Sequence, residues 1–223
     1  MHKLTVLFKR AQHILQTEGF VSLIRRGLAF IRSWVFQHEV YYLYEHEMKE
    51  RNEADFMPRV RELTVEIVFT NRQADELAAK GLEFRSPDGR DRDRLDDGAI
   101  AFCFFVGQEL AHKGWVALTE KAQKSIAPLP HKVDYSKNEA YCGGTFSNPE
   151  FRGNGLMTYG YYKRLQFLRE AGRTVSRNTV AKDNIASHKA LARLKPTINA
   201  QARYLKILGF KFWKETPLQT TPF

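Results

Sequence analysis

"SNPEFRGNGLM", residues 147–157, closes an apolar run with strand-like spacing and opens an amphipathic helix. A helix entrance carries unsatisfied backbone N–H groups and a partial positive charge. Gly153 and Gly155 free the backbone there for left-handed torsions and remove side chains that would hold an anion at a distance. Arg152 adds a fixed, multi-donor cation. Pro149 biases Asn148 towards extended backbone, so the strand is expected to leave the sheet at this point. Together these parts suit a diphosphate. A lone R-G-x-G also occurs in surface turns, so the neighbouring elements decide its meaning.

Outward from this stretch the element types alternate. Upstream, "NEAYCGGTFS" from Asn138 reads as a strand over 139–147, with Gly143 and Gly144 marking a bulge or a close backbone approach. Downstream, a helix is expected from Leu156 to Ala171, stopped by Gly172. "RTVSRNTVA" is a second strand over 173–181, and "NIASHKALARL" from Asn184 a second helix. Strand, helix and strand in that order make a right-handed crossover between parallel strands. The tail "TINAQARYLKILGFKFWKE" reads as one or two strands bent near Gly209.

Nearer the start, "ELTVEIVFTN" alternates as a strand, and Asn71 can cap a short helix that runs through Ala79 to Gly81. "RSPDGRDRDRLDDG" reads as a solvated loop of mixed charge. Counted from Asp91, its fifth position is Leu95 and its twelfth Phe102, which excludes an EF-hand calcium loop. Ala99–Val106 and Glu109–Leu118 flank "VGQE" as an antiparallel hairpin, and Pro128 and Pro130 punctuate the next connection. The expected fold is α/β, a mixed twisted sheet with helices on both faces. Ligands of such sheets favour the carboxyl ends of the strands, where Phe146 to Leu156 lies.

The chain of 223 residues suffices for one domain with an extension, and its ordinary apolar and charged fractions exclude wholesale disorder. The two cysteines, Cys103 and Cys142, fall in strand-like runs, whereas a disulfide scaffold or a zinc site needs more sulfur at tighter spacing. Reduced, buried thiols in a cytoplasmic protein without a metal are the expectation. The longest apolar run, "AIAFCFFV" from Ala99, has a strand's length, not the roughly 20 residues of a membrane span. "MHKLTVLFKRAQ" at the start lacks the apolar core and cleavage site of a signal peptide.

The formal charge is +10, and residues 1–36 hold half of it, six cations from Lys3 to Arg32 against Glu18 alone. Such an excess favours anionic partners: phosphorylated metabolites, a membrane surface or nucleic acid. Leu4, Leu7, Phe8, Ala11 and Leu15, and then Phe20, Ile24, Leu28, Ile31 and Val35, follow helical spacing on either side of Gly19. Residues 1–38 are therefore expected to form a basic, amphipathic helical extension ahead of a domain over 39–223. With Phe30, Trp34 and Phe36 beside it, this extension suits peripheral contact with the inner membrane surface; packing of the same apolar face on the domain is the alternative.

A strand, "PEFRGNGLM", an aromatic-rich helix, a second strand and "DNIASHKALARL" together resemble the coenzyme-A-binding half of the GNAT superfamily of N-acyltransferases. The resemblance covers residues 60–210, is strongest over 139–194, and leaves out the first 40 residues. The family fingerprint is R/Q-x-x-G-x-G/A; Arg152 and Gly155 match it, and Met157 stands where the last small residue is usual. The resemblance implies a GNAT-like acyltransferase domain that takes acetyl-CoA as acyl donor. It assigns the diphosphate to the loop Arg152, Gly153, Asn154, Gly155, Leu156 and Met157, and pantetheine to Phe146, Ser147 and Asn184. The coenzyme cleft would lie where strands 139–147 and 173–181 splay apart.

At such a site an amine attacks a thioester directly. An ammonium has no lone pair, so a base or water chain must take a proton, and an acid can protonate the departing thiolate. The family's usual acid is a tyrosine seven residues after the asparagine, a position held here by Leu191. His188 is the substitute on the same helix face, with a solvated helix histidine as the plainer reading. Glu139 and Tyr141 share one strand face and are candidates for base and acid; Cys142 faces the other way.

The expected function is an acyl-CoA-dependent N-acyltransferase that acetylates the amine of a small acceptor, which the basic excess makes anionic. Two other readings stay open. One is a non-catalytic GNAT-like module held at a membrane or in a complex, which Leu191 favours. The other is an aminoacyl transferase fed by charged tRNA; no RNA-binding motif supports it, so nucleic acid is not an expected partner.

Overall fold

The computed structural model describes residues 36–218. The chain divides into two compact units, one comprising 41–201 and the residues from 216 on, the other containing 36–40 and 202–215.

The larger unit is built on a mixed sheet. Its strands are β1 (Phe36–Glu47), which begins in the smaller unit, β2 (Leu63–Val68), β3 (Ile100–Val106), β4 (Glu109–Ala117), β5 (Glu139–Ser147), β6 (Val175–Ala181) and the first part of β7 (Thr197–Ile207). The order across the sheet is β2-β3-β4-β5-β6-β1-β7. β2 to β5 pair antiparallel, β5 and β6 pair parallel, and β6 pairs antiparallel with β1 from Tyr41↔Ala181 to Glu47↔Val175. The helices are α1 (Asn71–Ala79), α2 (Arg90–Asp96), α3 (Glu120–Ile126), α4 (Leu156–Glu170) and α5 (Ile185–Ala192).

Helices cover both faces, and β3 shows why its run is apolar without alternation. Phe102 and Phe104 pack with Leu156, Leu165 and Leu168 of α4, while Cys103 and Phe105 pack with Ala74 and Leu77 of α1 and Ile126 of α3. A strand buried on both sides has no position for a polar side chain. Cys103 and Cys142 are buried, free thiols on opposite faces, and burial raises the pKa of each.

Several local expectations change. Thr70, not Asn71, caps α1: its hydroxyl accepts from the Gln73 N–H while Gln73 Oε1 accepts from the Thr70 N–H, a reciprocal capping box. The charged stretch at 86–98 is not a free loop but contains α2. Asp91 is only 1% exposed there and accepts hydrogen bonds from Ser86, from Arg94 and from the Lys113 ammonium of β4. The proline-marked connection is preceded by α3, capped by Thr119. β1 itself carries no period that the sequence reading recognised. The helical extension expected over 1–38 lies outside the described residues except for 36–38, which open β1.

In the smaller unit, the rest of β7 and β8 (Phe210–Pro217) form a hairpin about Leu208 and Gly209, whose φ values of 49° and 89° are those of a mirror-type two-residue turn. The tail is thus two strands.

Gly143 and Gly144 mark a bulge, as the sequence implied. β4 pairs Trp115 with Gly143 but Lys113 with Phe146, so β5 carries one extra residue between them. Gly144 has φ +58°, and a Cβ there would lie 2.8 Å from Trp115 Cδ1 and 3.0 Å from Ile126 Cγ2. Gly144→Ala combines left-handed strain with overpacking and is expected to destabilise the fold by about 2–4 kcal/mol in urea denaturation.

Candidate cofactor site

β5 and β6 are paired only from Glu139↔Val175 to Tyr141↔Arg177; beyond that the parallel ladder stops while β4 continues beside β5. At the carboxyl end of β5 a cleft of about 660 Å3 opens between the first turns of α4 and α5. Two structural devices shape it. The bulge brings Thr145 and Ser147 to the cleft while Phe146 is turned away, 43% exposed, with the Lys113 ammonium 5.9 Å from its ring centre. A short 3-10 turn over Pro149–Phe151, capped by Asn148, then carries the chain to Arg152 at the rim.

α1, α3 and α5 are each capped by a side chain, from Thr70, Thr119 and Asn184. α2 and α4 both start from a left-handed glycine without a side-chain cap, but α2 carries Asp91 and Asp93 in its first turn and α4 carries no acidic residue there. α4 starts from Gly155, with φ 84°. Its first N–H groups therefore lack a carboxylate or hydroxyl partner from their own helix, and Leu156, Met157 and Thr158 line the cleft. Arg152 and Lys189 add two cations to the lining, and Arg152 Nε donates to the Ser147 carbonyl at 3.3 Å. The chemistry of this donor set fits an anionic diphosphate.

Of the residues proposed for the coenzyme, Ser147, Arg152, Gly153, Gly155, Leu156, Met157 and Asn184 all line this one cleft. Phe146 and Asn154 do not. Asn154 builds the turn instead: its carbonyl accepts from the Arg59 N–H at 2.8 Å and its amide donates to the Phe151 carbonyl. Met157 reaches across to α5, its sulfur 4.0 Å from Ser187 Oγ. Asn184 lines the cleft while its side-chain oxygen accepts from the Ser187 N–H at 3.1 Å.

None of Glu139, Tyr141 and His188 lines the cleft. Glu139 stands at the opposite end of β5, about 25 Å from Ser147 at strand rise. Arg177 donates two bonds of 2.6 Å to it and holds its carboxyl below the usual range. Tyr141 is buried on the face packed by α1 and α3, its hydroxyl 3.3 Å from Thr179 Oγ1, and burial drives its pKa upward. His188 is a pin between elements. Its Nε2 faces the carbonyls of Ala181 and Lys182 at 3.0 and 3.1 Å, which can only accept, so Nε2 carries the proton. Its Nδ1 lies 2.7 Å from the Tyr44 hydroxyl. Leu191, in the tyrosine position, is fully buried in the core.

His112, which the sequence did not disclose, does not line the cleft but backs the lining residue Ser147. It lies opposite Ser147 on β4, fully buried, with Nδ1 2.8 Å from Ser147 Oγ. The far side of the ring meets α4 at Gly160, where a Cβ would come within 2.6 Å of Nε2. Only the strand register and that glycine reveal it.

No family model matches the sequence, and neither does any curated protein. Solved structures do match. A GNAT-family acetyltransferase from Colwellia psychrerythraea has a TM-score of 0.50 at 16% identity, covering 80% of this chain and 57% of that one. A GCN5-related glucosamine N-acetyltransferase region of a fungal multi-domain beta-N-acetylglucosaminidase has a TM-score of 0.52 at 11% identity, covering 84% of this chain and 23% of that one. A functionally unknown conserved protein from Staphylococcus epidermidis matches with a TM-score of 0.44 at 15% identity, over 84% of this chain and 63% of that one. The chain thus spans less than two thirds of each of these proteins. The architecture is a mixed α/β sheet that parts between two parallel strands. It is the fold of the GNAT superfamily.

Burial holds the His112 imidazole neutral, pushing its pKa down to about 3, with the nearby Arg164 charge acting in the same sense. The unfolded histidine titrates near 6.5, so between about pH 6.5 and 3 the unfolded chain binds a proton that the folded chain does not. Stability is therefore lost on acidification through this window. His112→Gln is expected to flatten unfolding free energy against pH by about 1.4 kcal/mol per pH unit there, measured by urea melts across the window.

Proposed function

We propose that the chain is an acyl-CoA-dependent N-acyltransferase that transfers acetyl from acetyl-CoA to the amine of a small, anionic acceptor. One observation carries the reading: a helix entrance with no side-chain cap, opened by Gly153 and Gly155 and flanked by Arg152, lines a cleft where two parallel strands part. The first-turn N–H groups of α4 and the Arg152 guanidinium would hold the diphosphate, with Lys189 adding positive charge from α5. Thr145, Ser147 and Asn184 would orient the pantetheine arm along the end of β5. The bound thioester supplies an activated acyl group. Attack by the neutral amine forms the C–N bond and breaks the C–S bond, and the proton lost by nitrogen ends on sulfur.

No carboxylate, imidazole or phenol belongs to the cleft lining among the described residues, so water is the carrier this reading assigns to that proton. The basic excess of +10 supports an anionic acceptor, and the two free, buried cysteines support a cytoplasmic location. The non-catalytic reading draws support from the same lining and from Leu191 in the core; coenzyme binding without turnover over a broad amine panel would select it.

Saturating acetyl-CoA, at a hundred times its Kd, is expected to stabilise the protein by about 2.7 kcal/mol, raising Tm by roughly 5 °C or more. Arg152→Ala is expected to weaken that binding tenfold to a hundredfold, since hydrogen bonds to a charged group contribute about 1.5–3 kcal/mol. A folded protein whose Tm ignores the coenzyme would sink the proposal. In Gly155→Ala, left-handed strain of about 1–2 kcal/mol should appear as lower Tm together with weaker binding.

A further inference from the structure

The β7–β8 hairpin presents a one-sided apolar surface that the cleft does not use. A two-residue turn at Leu208–Gly209 sets Ile207 opposite Phe210, Leu205 opposite Phe212 and Arg203 opposite Lys214, each pair on one face. The other face carries Tyr204 and Trp213, whose rings meet edge to face at 6.4 Å, in agreement with this register. Tyr204 is 4% exposed, so that face is packed. On the first face Phe210 is 71% exposed, Phe212 56% and Ile207 37%, with Leu208 at the turn 67% exposed. Single exposed apolar residues are ordinary, but four within six positions make a patch.

Along this face the chemistry changes in order. Apolar groups occupy the tip, and Arg203 and Lys214, both exposed, stand about 15 Å back along the ribbon at strand rise. By the same register Lys206 and Lys211 fall on the other face, so Arg203 and Lys214 are the charges of this one. An apolar tip backed by cations matches the layering of a bilayer with anionic headgroups, where aromatic and aliphatic side chains reach the acyl boundary and cations stay at the phosphates.

We infer that the β7–β8 hairpin docks this protein on an anionic lipid surface, with Leu208, Phe210 and Phe212 entering the headgroup–acyl boundary and Arg203 and Lys214 meeting lipid phosphates. A second copy of the chain fits the patch less well. Four side chains cover a few hundred Å2 at most, against roughly 1,200–2,000 Å2 in total for a specific protein interface.

Flotation of the full-length protein with phosphatidylcholine vesicles, and with vesicles that also contain phosphatidylglycerol, tests this. The protein should float with the phosphatidylglycerol vesicles at low salt and not with phosphatidylcholine alone. Phe210→Ser with Phe212→Ser should lower the bound fraction at least tenfold, and Arg203→Gln with Lys214→Gln by a similar factor. Both variants keep residues 1–35, so flotation equal to wild type would assign any binding to that segment and overturn the proposal. Absence of wild-type flotation would overturn it too, as would a dimer of wild type that the Phe210→Ser, Phe212→Ser variant dissociates. Phe210→Trp preserves an aromatic at the tip and serves if the serine variant fails to fold. Its added emission should shift to the blue on phosphatidylglycerol vesicles, and an unshifted spectrum counts against docking. Acetyl-CoA enters none of these readouts, so the outcome is separate from that of the cleft.

Discussion

β5 pairs with β6 over its first three residues and with β4 alone beyond Tyr141. The parallel ladder with β6 stops at Tyr141↔Arg177, and the bulge at Gly144 shifts the remaining pairing with β4. Backbone N–H and C=O groups past that point need other partners, because a buried, unmade hydrogen bond costs as much as a lost one. The chain turns out of the sheet through Asn148 and Pro149 and restarts as α4 from a left-handed glycine, and that restart supplies a row of donors at the same place. The cleft is thus a consequence of how one strand leaves its neighbour.

The approach of α4 to the sheet is set by two glycines on opposite partners. Gly160 on the helix leaves room for His112 of β4, and Gly114 on the strand leaves room for Arg164 of the helix, whose Nη1 lies 2.5 Å from where a Cβ would stand. Arg164 is fully buried, with its guanidinium 3.9 Å over the Tyr161 ring and Nε bonded to the Gly160 carbonyl. Burying this cation costs desolvation, which the aromatic face offsets, and its charge adds to the burial of His112 in disfavouring a second charge there. The neutral His112 then sits as a fixed polar backing to Ser147 at the mouth of the cleft.

The strand–helix–strand–helix run from 139 to 192 was legible because its signals are local: helical spacing, glycine stops and a glycine pair at a bulge. β1 was not, since "FQHEVYYLYEHE" mixes polar and aromatic residues whose placement depends on β6. His46 is fully buried there because Asn178 of β6 meets it at 3.1 Å. α2 was hidden by its charges, which read as solvated until Lys113, on another strand, takes up Asp91. The proton-transfer candidates are engaged away from the cleft for the same reason. Glu139 and His188 look available along the chain, but Arg177 and Tyr44, far away in sequence, use their polar atoms.

The order of residues by itself determined the crossover, the glycine-opened entrance after Pro149 and the identities of most groups that gather around it. These follow from torsional preference and apolar period, which act over a few residues. The tertiary structure alone decided which polar side chains are spent on other groups, that Phe146 turns away from the cleft, and that His112 stands behind Ser147. Those outcomes depend on register and burial, and both are set by strands that meet only when the sheet closes.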